Sequence, residues 1–220
     1  MMHDFIQTVL LLVTGLFPII NPPASALIVL SLVPRATPAE RDDLARRITV
    51  NSFVILLVSL SIGAYVLSFF GVSIPVLRVA GGLVVGMAGW NLLQKPSDEP
   101  NDDRVQAIQA DRHAESLATK AFYPLTLPIT VGPGSISVAI ALGTGTPNEG
   151  LSAGHFAGVG VALVVLCASI YVCVRFAGAL ERLLGTIGTQ VAIRLFAFVL
   201  FCIGVQLCWL GVSALVTSLH

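Results

Sequence analysis

The sequence predicts an all-α integral membrane protein, with six transmembrane helices as two inverted three-helix repeats and helices 1 and 4 broken at Pro/Gly motifs. Three observations point there. Of 220 residues, 55% are hydrophobic and only 11% charged, with a mean hydropathy of +0.90. A soluble chain carries about 25% charged residues, so this one has too few to cover a water-soluble domain. Six mostly apolar runs each approach or exceed the roughly 20 residues that span a bilayer. Finally, a proline-containing break recurs at matching positions in the two halves of the chain.

The six runs lie near 5–33, 48–70, 75–94, 121–143, 153–177 and 189–215. They are long and do not alternate apolar with polar residues, which favours helices over barrel strands. The start, Met1-Met2-His3-Asp4, lacks a basic n-region, so the first run is expected to stay as a span and not be cleaved. Basic residues occupy alternate connections. Arg35, Arg41, Arg46 and Arg47 follow span 1, Lys95, Arg104, Arg112 and Lys120 follow span 3, and Arg175 and Arg182 follow span 5. The N-terminus, the 71–74 turn, the 144–152 loop and the C-terminus hold no Lys or Arg. The positive-inside rule then expects these connections in the cytoplasm and both termini on the outer side.

Span 1 is about 29 residues, roughly 43 Å if fully helical, against a hydrocarbon core of about 30 Å. Pro18, Pro22 and Pro23 cannot all sit in a regular helix. An unwound stretch within 18–23 accounts for both facts. Shifting the chain by 110 residues lays Leu16–Ser25 on Thr126–Ser135, with Pro18 on Pro128, Pro23 on Pro133 and Ser25 on Ser135. Arg78 and Arg194 likewise fall near the starts of the third spans of each half. Three spans per half force opposite orientations, the inverted repeat of many secondary transporters. The expected units are a first repeat 1–94, a cytoplasmic linker 95–119 and a second repeat 120–220. Val105, Ile108 and Leu117 allow one short amphipathic helix in the linker.

A broken helix exposes amides at the start of its second piece and carbonyls at the end of its first. The amide end suits a carboxylate and the carbonyl end an ammonium group. The expected substrate-binding residues are Asn21, Pro22, Pro23, Ala24 and Ser25 at the first break, and Thr130, Gly132, Pro133, Gly134 and Ser135 at the second. Such a site fits a small zwitterion. The apolar stretches of the spans hold no Asp or Glu, which argues against cationic substrates. Arg78 and Arg194 either snorkel to the interface, hold carbonyls freed by the breaks, or gate the pathway. Asn51 and Gln206 are expected to bond between helices. Gly82-x-x-x-Gly86 and Gly154-x-x-x-Gly158 serve helix packing, within the chain or in an oligomer. Cys167, Cys173, Cys202 and Cys208 lie in spans 5 and 6 and read as small packing residues.

Phe17-Pro18-Ile19-Ile20-Asn21-Pro22-Pro23 and the run from Phe122 through Pro128, Gly132, Pro133 and Gly134 to Ser137 resemble the MarC family of bacterial inner-membrane proteins. Leu77-Arg78-Val79-Ala80-Gly81-Gly82 and the Arg194–Gln206 stretch resemble it too. The resemblance covers nearly the whole chain. It implies six spans with outward termini and a transporter of small neutral amino acids, glycine and alanine among them. The chain departs from the family pattern at Ala24 and Leu27, where Gly and then Pro are common, and lacks a glycine soon after Arg194. The first break is therefore expected to be short.

Net charge is zero, from twelve basic and twelve acidic residues, so no electrostatic footprint for nucleic acid exists. The expected partners are a small zwitterionic substrate and the lipid bilayer, with the oligomeric state open. No cofactor is expected, beyond a coupling Na+ or H+. A channel for ions or small metabolites, or a family member with another substrate, is the alternative. An intramembrane serine protease built on Ser135 with His155 as base is disfavoured, since Ser25 mirrors Ser135 without a mirrored histidine. The chain is not expected to be an enzyme.

Overall fold

The computed structural model describes residues 2–33, 36–94, 117–143 and 153–218. Within them the chain is helical throughout, with no strand. In order, the elements are α1 (Met2–Ile20), α2 (Pro22–Leu32), α3 (Pro38–Phe69), α4 (Ile74–Gln94), α5 (Leu117–Lys120), the wide-turned α6 (Ala121–Thr130), α7 (Pro133–Gly143), α8 (Ala153–Arg175) and α9 (Ala177–Thr217). Five helical stretches are long and apolar enough to cross a membrane, and six if the bent pair α6–α7 counts as one span.

Helices extend past the apolar runs where local chemistry favours it. α3 begins ten residues before its expected span, because Thr37 caps it. The Thr37 amide and hydroxyl both donate to Glu40 Oε2, at 2.8 and 2.9 Å, and Thr37 Oγ1 accepts from the Glu40 amide. This reciprocal capping box satisfies amides that would otherwise be orphaned. At 32 residues, α3 is about 48 Å long, so its charged first turns project beyond the roughly 30 Å hydrocarbon layer. α9 is longer still and turns at Gly185, whose φ of 67° lies in the left-handed region that glycine enters without a Cβ penalty. The expected linker 95–119 falls outside the described residues except at its end. There Leu117–Lys120 is already helical and runs into α6 across the expected boundary at 119/120.

Large apolar side chains are exposed on the spanning stretches: Tyr65 and Phe69 on α3 and Leu195 and Trp209 on α9 are 62% to 85% exposed. Burial instead joins Leu16 and Ile20 of α1, Ile48 and Leu56 of α3, Leu125 of α6, and Leu163, Leu166 and Ile170 of α8 into one core. Lipid tails compete equally for apolar side chains, so close backbone approach through small residues has to supply packing. The most extensive helix pair, α4 on α9, is such a seam. Gly82 faces Gly204 and Cys208, Gly86 faces Gly204, and Gly89 faces Ala197 and Phe201. The Gly82/Gly86 motif therefore packs within the chain. Gly158 of the second motif packs on Phe5 and Thr8 of α1.

Exchanging α1, α2, α3 and α4 for α6, α7, α8 and α9 maps the main packing pairs onto one another. α1 packs on α8 as α6 packs on α3, α2 on α8 as α7 on α3, α4 on α7 as α9 on α2, and α1 on α7 as α6 on α2. One end of the bundle gathers the basic connections. Asp42 of α3 accepts from Tyr171 Oη at 2.9 Å and pairs with Arg175 Nε at 2.7 Å. The opposite end joins Thr8 of α1 to His155 of α8 at 3.2 Å.

Candidate functional site

The two breaks differ in extent and form. At the first, only Asn21 leaves the helix, with φ 46° and ψ 64°. The expected unwinding of 18–23 is thus confined to one residue. Pro18 stays inside α1, while Pro22 and Pro23 open α2, where a missing amide costs no helical bond. The Asn21 amide still bonds the Phe17 carbonyl at 2.9 Å, and its carbonyl accepts from Ser25 at 3.0 Å. Ser25 Oγ donates to the Ile20 carbonyl at 2.7 Å. The carbonyl expected to be free for an ammonium group already has this donor.

The second break is larger. Tyr123 and Leu127 adopt extended backbone, at ψ 124° in both, because each precedes a proline whose ring disfavours the helical region. α6 and α7 meet at 65°. Here too hydroxyls cover the displaced carbonyls. Thr126 Oγ1 donates to Ala121 O at 2.6 Å, Thr130 Oγ1 to Leu125 O at 2.8 Å and Ser135 Oγ to Gly132 O at 3.0 Å. Ser25, Thr126 and Thr130 all reach five residues back, so both breaks use one device. Asn51 Nδ2 approaches Thr126 Oγ1 at 3.4 Å, tying α3 to the break, which is the between-helix role expected for it.

A half-open cavity of about 320 Å³ lies at this second break. Thr130, Gly132, Pro133, Gly134 and Ser135 line it, with Pro128, Ile19 and Ile28 from the first helix pair, and Val85, Ala88 and Asn91 from α4. All five residues expected at the second break are therefore brought together. Asn21, Pro22, Pro23, Ala24 and Ser25 are not among its lining residues; Pro22, Ala24 and Ser25 are buried instead. The cavity is therefore formed at the second break, and the first helix pair reaches it through Ile19 and Ile28 and not through Asn21–Ser25. Asn91 was not singled out from the sequence, because it sits three residues from the end of α4 and reads as an interfacial residue.

Hydroxyl protons at the cavity wall are committed to main-chain carbonyls, so the Thr130 and Ser135 oxygens have only lone pairs left to offer. At the head of α7 the first turn bond is Ile136 N to Gly132 O at 3.1 Å. The amides of Gly134 and Ser135 precede that bond, at a helix end that carries partial positive charge. Gly134 packs directly on Val85 of α4, so a side chain there would strike α4 before it reached the cavity.

Arg78 is half-buried on α4, seven residues or about 10 Å along the helix from Val85 at the cavity. Arg194 is exposed on α9. With the carbonyls at Ile20, Ala121 and Leu125 already bonded by hydroxyls, neither arginine is needed to hold them. Cys208 Sγ lies 3.5 Å from the Val79 carbonyl in the α4–α9 seam, in keeping with a packing role.

An all-helical bundle of lipid-facing helices, with one span broken around a small cavity, defines a multi-pass integral membrane protein. The MarC family integral membrane protein profile matches residues 6–216. Relatives described as UPF0056 inner membrane protein MarC align over the full length of both chains. Those of Salmonella typhimurium and Citrobacter koseri are 32% identical, and that of Escherichia coli O1:K1 / APEC is 31% identical. The chain belongs to the MarC family. No solved structure matches it.

Proposed function

We propose that this chain is a secondary transporter of small neutral amino acids, working by alternating access in the bacterial inner membrane with both termini periplasmic. The carrying observation is the cavity at the α6–α7 break, with helix-start amides and oxygen acceptors around a small apolar space. The Gly134 and Ser135 amides suit the carboxylate of an amino acid. The Asn91 side-chain oxygen and the free lone pairs of Thr130 and Ser135 Oγ suit its ammonium group. The volume is at the low end for ligand pockets, which favours glycine- or alanine-sized substrates. The family relatives' inner-membrane description and the exchange pattern of helix packing support the location and the inverted-repeat reading.

The test is uptake of labelled glycine, alanine and serine into proteoliposomes, with Na+ and H+ gradients imposed separately. Saturable uptake that alanine inhibits and ethylamine does not is expected, since ethylamine lacks the carboxylate. Ser135→Ala should lower affinity about 2–10-fold, the range for one hydrogen bond, and Asn91→Leu should lower it at least as much. Equal competition by ethylamine, or unaltered uptake by both variants, would discard this site.

A further inference from the structure

A second hollow, of about 380 Å³, opens between α3 and α8 at the basic end of the bundle. Thr49, Val50 and Phe53 form one wall, and Val164, Cys167, Ala168 and Tyr171 the other. Val50, Val164 and Ala168 are exposed, so the hollow faces the lipid and not the core. Val164 to Tyr171 spans about 10 Å along α8, the depth of the upper part of an acyl chain.

The rim above this groove is charged in an ordered way. Residues three or four apart share a helix face. Arg46 therefore stands one turn above Thr49 and Val50 on α3, and Arg175 one turn beyond Tyr171 on α8. Asp42, a further turn up α3, takes the Tyr171 hydroxyl and Arg175 Nε. That contact neutralises Asp42 but occupies only one of the five guanidinium N–H donors of Arg175. Arg46 is exposed and makes no hydrogen bond or ion pair with the described residues. Arg47, its neighbour, is paired with Asp43 at 2.7 Å. The groove mouth thus carries two arginines against one aspartate.

We propose that the α3–α8 groove holds one acidic glycerophospholipid of the leaflet at the basic end, its acyl chain between Phe53 and Ala168 and its phosphate between Arg46 and Arg175. The net positive mouth favours a headgroup with uncompensated negative charge over one that carries its own cation. This site lies on the lipid face, apart from the cavity proposed for transport, and stands or falls independently of it.

Native mass spectrometry of the full chain, titrated with phosphatidylglycerol or phosphatidylcholine, tests this. Wild type should retain one phosphatidylglycerol at concentrations about fivefold below those needed for phosphatidylcholine, the effect of about one basic residue near a membrane surface. Arg46→Gln should remove that preference, and Arg47→Gln should leave it. Ala168→Phe, which fills the groove from a lipid-exposed position, should weaken both adducts, with melting in detergent reporting that the fold is kept. If Ala168→Phe melts early, Ala168→Leu replaces it. Equal retention of both lipids by wild type, or unchanged adducts in the groove-filled variant, would mean ordinary annular lipid and overturn the proposal. So would a dimer that Ala168→Phe dissociates without altering lipid retention, because a second copy would then be the occupant.

Discussion

Asn21 is the one non-glycine residue with positive φ among the described residues, at 46°. A side chain in that region costs about 1–2 kcal/mol, and Asn bears it better than most. Asn21→Gly is therefore expected to keep the melting temperature or raise it, while Asn21→Val lowers it. The same melting in detergent for both variants would show that the backbone at 21 is not held left-handed. Gly134 carries a different constraint. Its Cα hydrogen points at Val85, so Gly134→Val should destabilise the bundle by about 1–3 kcal/mol through overpacking. Adding Val85→Ala should recover much of the loss. A Gly134→Val protein as stable as wild type would contradict the packing of α7 on α4. Substitution at Gly134 cannot by itself probe a ligand, and Ser135 and Asn91 are the cleaner positions.

At the scale of elements, α3 depends on its capping box outside the hydrocarbon layer. The Glu40 carboxyl is held below its ordinary value of 4.5 because it accepts from the Thr37 amide and then from the Thr37 hydroxyl. A lowered folded-state value means the contribution is complete above about pH 4.5. It is lost as pH falls through that lowered value. The melting difference between wild type and Glu40→Gln should therefore shrink below pH 4.5. A difference that stays constant from pH 7 to 3 would exclude the carboxylate as the cap. The two broken spans show how one chemical device yields two shapes. Hydroxyls reach back to the carbonyl five residues earlier in both, yet α6 has two internal prolines and meets α7 at 65°, while α1 has one and forms a single span with α2.

For the whole molecule, the Asp42–Arg175 pair places the connections after spans 1 and 5 at one end, and Thr8–His155 places the starts of α1 and α8 at the other. Reporter fusions at 40 and 180 should accordingly agree with each other. The charge rule further expects both to be cytoplasmic, and fusions at 148 and 220 to be periplasmic. Opposite readings at 40 and 180 would break the bundle described here. A cytoplasmic reading at 220 would break the six-span order.

The membrane class and the two proline-bearing break regions were determined by the sequence alone, whereas the extended backbone at Tyr123 and the turn at Gly185 were not. Bilayer thickness sets span length, and Pro18, Pro22, Pro128 and Pro133 restrict backbone locally, so neither needs a partner to be read. Helix ends were less legible. α3 and α9 run past their apolar stretches because capping and helix propensity act independently of hydropathy. Only the tertiary structure decided which break lines a cavity. Whether the carbonyls at Ile20 and Leu125 stay open depends on the rotamers of Ser25 and Thr130, and whether Gly134 faces ligand or helix depends on Val85, forty-nine positions away in the chain. Asn91 joined the site for the same reason: its place is set by the packing of α4 on α7, a long-range contact that local sequence does not encode.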